Sequence, residues 1–181
     1  MEQTAGDSNA VSTKPTLYLM MGFPGSGKTT TAKIIHDLTG AVHLWADQER
    51  RERFGDTYRP EDSEALYFDL NHRTAELLHA GKSVVFDTNF NFRKDRDFLR
   101  DVAAMAGADV KLIWLRTNIT LAKDRATGQL QAVHNGFNAQ MEDTTFMRIA
   151  SNLELPSGDE QAIVLDGTKI TPDYVKQMLG L

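Results

Sequence analysis

Cysteine is absent from this 181-residue chain, which removes disulfides, thiolate metal sites and a cysteine nucleophile together. That absence fits a cytoplasmic setting. Long apolar runs are missing too. The longest near the start, Leu17 to Met21, falls far short of the roughly 18 residues that cross a bilayer, so no membrane partner is expected. The polar opening residues do not resemble a signal peptide. An excess of positive charge is also lacking. The formal net charge of −5 gives no whole-protein field that attracts nucleic acid, so no strong general nucleic-acid affinity is expected. What is present is ordinary: 41% hydrophobic and 25% charged residues, the balance of a chain that buries a core. At this length one domain is expected.

Residues 1–15 are polar, small and aperiodic, and read as a flexible tail before a single domain over 16–181. From there short β-rich runs alternate with helical patterns. Strands are predicted at Leu17–Met21, Val42–Trp45, Val84–Asp87, Val110–Leu115 and Ile163–Leu165. A helix is predicted from Thr30 to about Leu38. A second follows Pro60, with Leu66, Leu70 and Leu77 on its apolar face and Gly81 at its C′ position. Asn91 is positioned to cap a helix whose stripe is Phe98, Leu99, Val102 and Ala106, ending at Gly107. Asn138 could cap another that carries Phe146, Ile149, Ala150 and Leu153. Thr171-Pro172 makes an N-cap and N1 pair for a terminal helix. Strands alternating with helices imply right-handed crossovers and a mostly parallel sheet, with ligands bound beyond the carboxyl ends of the strands.

The first strand runs into Gly22-Phe23-Pro24-Gly25-Ser26-Gly27-Lys28-Thr29, with Thr30 opening the next helix. This is G-x-x-x-x-G-K-[ST] between a strand and a helix, the arrangement of a phosphate loop. Glycines let backbone N–H groups close around phosphate oxygens, and the helix N-terminus adds positive potential. Lys28 can reach the β- and γ-phosphates of ATP, and the Thr29 hydroxyl can ligate Mg²⁺. Residues 22–30 are therefore the expected nucleotide site. Asp87, an acid closing a hydrophobic strand, is a second expected Mg²⁺ ligand. Its other reading is a cap or turn residue before Thr88-Asn89.

After the second strand comes Asp47-Gln48-Glu49-Arg50. Asp47 could take a proton from an acceptor hydroxyl, and Arg50 could bind an anionic group on that acceptor. A solvated charge run has the same composition. Arg116, Lys123 and Arg125 follow strand four, where small kinases carry a mobile lid. Arg125 is the expected catalytic and nucleotide-binding cation of a lid over about 118–138, with Asn118 starting its helix and Gly128 and Gly136 permitting movement. Ordinary surface basicity is the alternative. Arg93 and Lys94 either meet an anionic acceptor or decorate a first helical turn. The histidines His36, His43, His72, His79 and His134 show no zinc-motif spacing. Trp45 and Trp114, on strands, are expected in the core.

Together the Gly22–Thr29 loop, Asp47-x-x-Arg50, Asp87-Thr88-Asn89 and the arginine-bearing segment after strand four resemble one branch of ATP-binding, AAA-type small P-loop kinases. That branch contains the polynucleotide 5′-hydroxyl kinase domain and the zeta-toxin kinases. The resemblance covers roughly residues 16–166, and Glu154-Leu155-Pro156 with Asp159-Glu160 resembles the stretch before the last strand in these kinases. It implies the α/β class: a three-layer P-loop NTPase fold with a mostly parallel five-stranded sheet, helices on both faces and a small lid. It also implies that Asp47 is the general base, that Arg50 binds the acceptor's phosphate, and that the acceptor is a small molecule or an oligonucleotide 5′-hydroxyl. A regulatory ATPase or GTPase module is the competing class, although no Asn-Lys-x-Asp sequence is present to read guanine.

Overall fold

The computed structural model describes residues 14–55, 59–128 and 141–181. Among them the order is β1 (Thr16–Met21), α1 (Lys28–Thr39), β2 (Val42–Trp45), α2 (Ala46–Phe54), α3 (Pro60–His79), β3 (Val84–Asp87), α4 (Arg93–Met105), β4 (Asp109–Arg116), α5 (Ile119–Ala126), α6 (Asp143–Ser151), β5 (Ile163–Asp166) and α7 (Pro172–Leu179). The strands form one sheet in the order β2-β3-β1-β4-β5, every pairing parallel. β1 therefore lies in the middle. Its neighbours β3 and β4 flank it with Leu19 opposite both Phe86 and Leu112.

A central strand buried on both faces needs apolar residues at every position, and alternation then sends them to two cores. Leu17, Leu19 and Met21 pack with Leu66 and Leu70 of α3 and Leu99 and Val102 of α4. Tyr18 and Met20 pack on the other face with Ala32 and Ile35 of α1 and Val175 and Leu179 of α7. The helices thus cover both faces, as expected.

Most local punctuation acts as read. Gly81 (φ +73°) ends α3 with its N–H on Leu78 and that of Lys82 on Leu77. The Thr171 hydroxyl accepts the Tyr174 N–H and caps α7. The Asn118 side chain accepts the Thr120 N–H at 2.9 Å and starts α5.

Five local expectations change. α1 begins at Lys28 rather than Thr30, because Gly27 at φ +103° already turns the chain into the helix. Asn91 does not cap α4: Phe92 occupies that position, and the Asn91 amide instead donates to the Ile149 carbonyl of α6. Phe98, expected on the α4 stripe, is 51% exposed, because Leu99, Val102 and Ala103 make the buried face. The charge run after β2 is a helix, α2, latched to α3 by Arg53–Asp69 (2.6 Å) and Arg73–Glu49 (2.8 Å). Asn138 does not cap α6 either: that helix begins at Asp143 with Glu142 in the cap position, and Asn138 itself lies outside the described residues. So do residues 1–13 of the tail, and 129–138 of the lid with Gly136 and His134. No described helix is long and apolar enough to cross a membrane.

The remaining surprise is ionic. Arg96 of α4 and Glu160 both have fully buried side chains and form a two-pronged pair, Nε–Oε1 at 2.7 Å and Nη2–Oε2 at 2.9 Å. Arg96 also donates to the carbonyls of Phe90 and Asn91. Phe90 holds φ +41°, so the guanidinium clamps a bent segment between β3 and α4. Breaking a buried pair by removing one partner costs about 3–5 kcal/mol, because the survivor stays buried and charged. Glu160→Gln should therefore lower the melting temperature strongly under denaturation followed by circular dichroism. The Arg96 guanidinium holds the Glu160 carboxyl at about 2, well below the usual 4.5. A depressed carboxylate contributes stability above its unfolded value and loses it as pH falls. Wild-type stability should thus decline between roughly pH 4.5 and 2 more steeply than that of Glu160→Gln. Matching slopes would exclude Glu160 as the titrating group.

Candidate active site

The phosphate loop leaves the carboxyl end of β1, at the sheet edge where ligands bind in this architecture. Two of its glycines are required by crowding. A Cβ on Gly22 would lie 2.7 Å from the Leu115 carbonyl oxygen, and one on Gly25 would lie 2.2 Å from that of Ala122. The loop is packed against β4 on one side and α5 on the other. Phe23 reinforces this by packing toward Phe146 of α6, ring centroids 6.4 Å apart. Pro24 and Ser26 are buried, Thr29 is half-buried and Thr30 is exposed. The Ser26 hydroxyl is buried without a hydrogen-bond partner among the described residues, an open polar valence facing inside the loop region.

Lys28 is buried, with Nζ donating to the carbonyls of Gly22 (3.0 Å) and Phe23 (2.8 Å). Burial pushes its ammonium down to about 8 from 10.5, while the charges of Asp87 and Asp47 act in the opposite direction. Two carboxylates from different parts of the chain are therefore within electrostatic reach of Lys28. Asp87 ends β3, almost fully buried, opposite Trp45 in the sheet register. Asp47 stands in the first turn of α2, and Arg50, one turn on, pairs with it. The next residue after Asp87, Thr88, bonds the Tyr67 hydroxyl of α3 at 2.8 Å.

Arg125 projects from α5 and donates Nη1 to the Gly167 carbonyl at 3.1 Å, in the turn after β5. That turn sits against the phosphate loop, since a Cβ on Gly167 would meet the Ser26 carbonyl oxygen at 2.3 Å. Thr117 joins the same contact, its hydroxyl donating to Ser26 O at 3.1 Å. Arg125 is therefore at the loop's border. The other lid cations go elsewhere: Lys123 pairs with Asp143 of α6 at 2.6 Å, and Arg116 is exposed at the end of β4. Arg93 is engaged by Asp97 and Asp159, and the Lys94 ammonium lies over the Phe92 ring. Glu154, Asp159 and Glu160 serve α4: Glu154 accepts the Arg93 N–H at 2.6 Å, and the other two bind Arg93 and Arg96.

The AAA domain family profile matches residues 17–156, from β1 past α6. The chain belongs to the AAA domain family. A shikimate kinase from Persephonella marina is 29% identical over 116 residues, covering 62% of this chain and 67% of that protein. A gluconokinase structure from Sinorhizobium meliloti 1021 superposes with a TM-score of 0.65 at 20% identity, over 92% of this chain and 91% of that one. The Pnkp1/Rnl/Hen1 RNA repair complex contains a chain that matches with a TM-score of 0.64 at 20% identity, over 82% of this chain but 47% of that one. The structural likenesses establish the fold, an α/β P-loop kinase fold with a five-stranded parallel sheet. Family and loop together make ATP with Mg²⁺ the cofactor pair.

His43, Thr117 and Gly167 were missed from the sequence. Their hydrogen-bond partners lie 42 residues or more away, so no local spacing signals them.

Proposed function

We propose that this protein is an ATP-dependent kinase that phosphorylates a hydroxyl of a small-molecule acceptor. The observation that carries the reading is the buried Lys28, placed where the charges of both Asp87 and Asp47 reach it. Residues 22–30 would bind the phosphates, with the Ser26 hydroxyl free to take one oxygen. Thr29 and Asp87 would hold Mg²⁺, the usual one or two protein oxygens beside substrate phosphates. When bound, that ion draws charge from the β- and γ-oxygens.

The chain's own groups do the rest. Asp47 takes the acceptor hydroxyl proton as that oxygen bonds to the γ-phosphorus. The bond to the β–γ bridging oxygen breaks, and its electron pair leaves on ADP. Lys28 meets charge growing on the transferred group and the leaving oxygen. Arg50, paired to Asp47, orients that carboxylate and offers N–H donors to an anionic group of the acceptor. Arg125 releases the Gly167 carbonyl and reaches the phosphoryl group as the lid closes. A cytoplasmic location fits this use of ATP.

The Asp47-x-x-Arg50 and Asp87-Thr88-Asn89 pair also matches the polynucleotide 5′-hydroxyl kinase pattern, so an oligonucleotide end is the second acceptor to try. The test is transfer from γ-³²P-ATP with Mg²⁺ to sugars, hydroxy acids, nucleosides, sugar nucleotides and 5′-hydroxyl oligonucleotides. A labelled small molecule is the expected product. Label appearing on oligonucleotides alone would move the protein to the nucleic-acid branch. ATP hydrolysis that no acceptor stimulates would favour a regulatory ATPase.

A further inference from the structure

His43 lies outside every role assigned so far. It is on β2, one of the sheet's two edge strands, two residues before Trp45 and hence on the same face. Its Nε2 is 3.2 Å from Asp87 Oδ2, and the side chains are 14% and 3% exposed. A carboxylate only accepts, so the imidazole donates. The ring is fixed on its flat side as well: it stacks on Trp45 at 6.0 Å between centroids with planes 7° apart. Trp45 is held in turn by the Lys33 ammonium of α1, 5.1 Å from its ring centre. Trp45, expected in the core, is thus a half-buried brace between α1 and His43.

A short carboxylate at a strand end has free rotation about its last bond unless something binds one oxygen. His43 binds Oδ2, which leaves Oδ1 and the remaining lone pairs of Oδ2 in a set direction. Among the described residues no other hydroxyl, amide or cation hydrogen-bonds that carboxylate. Groups that orient a ligating carboxylate typically change metal affinity by about 10- to 100-fold when removed.

We propose that His43 is a positioning residue for the metal ligand Asp87, held in place by stacking on Trp45. The inference rests on the assignment of Asp87 to Mg²⁺. His43 touches neither nucleotide nor acceptor and acts through Asp87 alone. Its removal should weaken divalent-cation binding without altering how the phosphate loop takes a nucleotide.

Mn²⁺ binding to the protein–ADP complex, followed by electron paramagnetic resonance, reads this directly. His43→Phe keeps a flat ring on Trp45 and deletes the donor. It should bind Mn²⁺ about 10-fold more weakly than wild type. ADP affinity in EDTA should match wild type. His43→Gln restores an N–H donor and should recover most of the loss. Asp87→Asn is the reference, and should weaken Mn²⁺ binding by more than His43→Phe does. An unchanged Mn²⁺ affinity in His43→Phe, beside a weakened Asp87→Asn, overturns the role of His43 and leaves that of Asp87 standing. Unchanged affinity in Asp87→Asn overturns both. Equal losses of ADP and Mn²⁺ affinity in His43→Phe would assign the histidine to the architecture of the phosphate loop. Should His43→Phe fail to fold, His43→Leu beside His43→Gln separates donor from shape in the same assay.

Discussion

Lys28→Met should lose phosphoryl transfer by at least 10²- to 10³-fold while the protein stays folded. Lys28 is the cation assigned above to the charge that develops in transfer, and removing one such preorganised donor has about that effect. The structural consequence is smaller, because two effects oppose. The ammonium donates to Gly22 and Phe23, and those bonds are lost. Its burial, however, already disfavours the charged form, which is why its value falls to about 8 from 10.5. In the unfolded chain Lys28 keeps its proton up to about 10.5, so folding near neutrality carries the whole cost of burying that charge. The cost fades as pH rises from about 8 toward 10.5. Without ATP, wild type should therefore gain stability relative to Lys28→Met across that window. Parallel melting of the two proteins from pH 7 to 10, together with turnover at pH 7.5, checks both halves. A variant that turns over like wild type would remove the phosphate-loop assignment.

Asp47→Asn should slow phosphorylation of the acceptor by about 10²- to 10⁴-fold, the range for a positioned base. ATP affinity should change little, since the phosphates are assigned to residues 22–30. Stability should hardly move, because the Asp47–Arg50 pair is solvent-exposed and such pairs contribute about 0–1 kcal/mol. Arg50→Ala separates two consequences of that pair. Loss of contact with an anionic acceptor raises acceptor KM, whereas loss of orientation at Asp47 lowers kcat. If orientation is the part Arg50 plays, the double variant should have the kcat of Asp47→Asn alone, a non-additivity that a double-mutant cycle detects. Initial rates and ATP calorimetry on the three variants supply the numbers. A wild-type rate in Asp47→Asn, with chemistry rate-limiting, would return Asp47 and Arg50 to the charged surface of α2.

Wherever a physical signal was local, the sequence carried it. Strands β2 and β3 have the ends that their β-rich runs imply, and the phosphate loop has the turn that its glycines require. Gly81, Asn118 and Thr171 stop or start helices by contacts within five residues. Boundaries failed where distant chain supplied the partner. Asn91 has the chemistry of a cap, but α6 passes close enough to take its amide. Phe98 has helical spacing, but the buried face of α4 is turned toward Leu99 and Val102. The charges of α2 read equally as surface or site in the sequence, and only the fold shows that α3 engages two of them, Arg53 and Glu49, through Asp69 and Arg73.

The sequence by itself determined a mostly parallel α/β sheet, a phosphate loop at the end of its first strand, and the candidates Lys28, Asp47, Arg50, Asp87 and Arg125. Periodicity, glycine spacing and strand ends are properties of neighbouring residues, so they can be read along the chain. Only the tertiary structure decided which candidates meet and what holds them. It set Asp87 beside His43 across 44 residues, and Arg125 on Gly167 across 42. It also buried Arg96 against Glu160 across 64 residues, a pairing that hydropathy would have left at the surface. A buried charge persists only where a partner compensates its lost water, and that partner is chosen by the crossing of strands and helices rather than by sequence spacing.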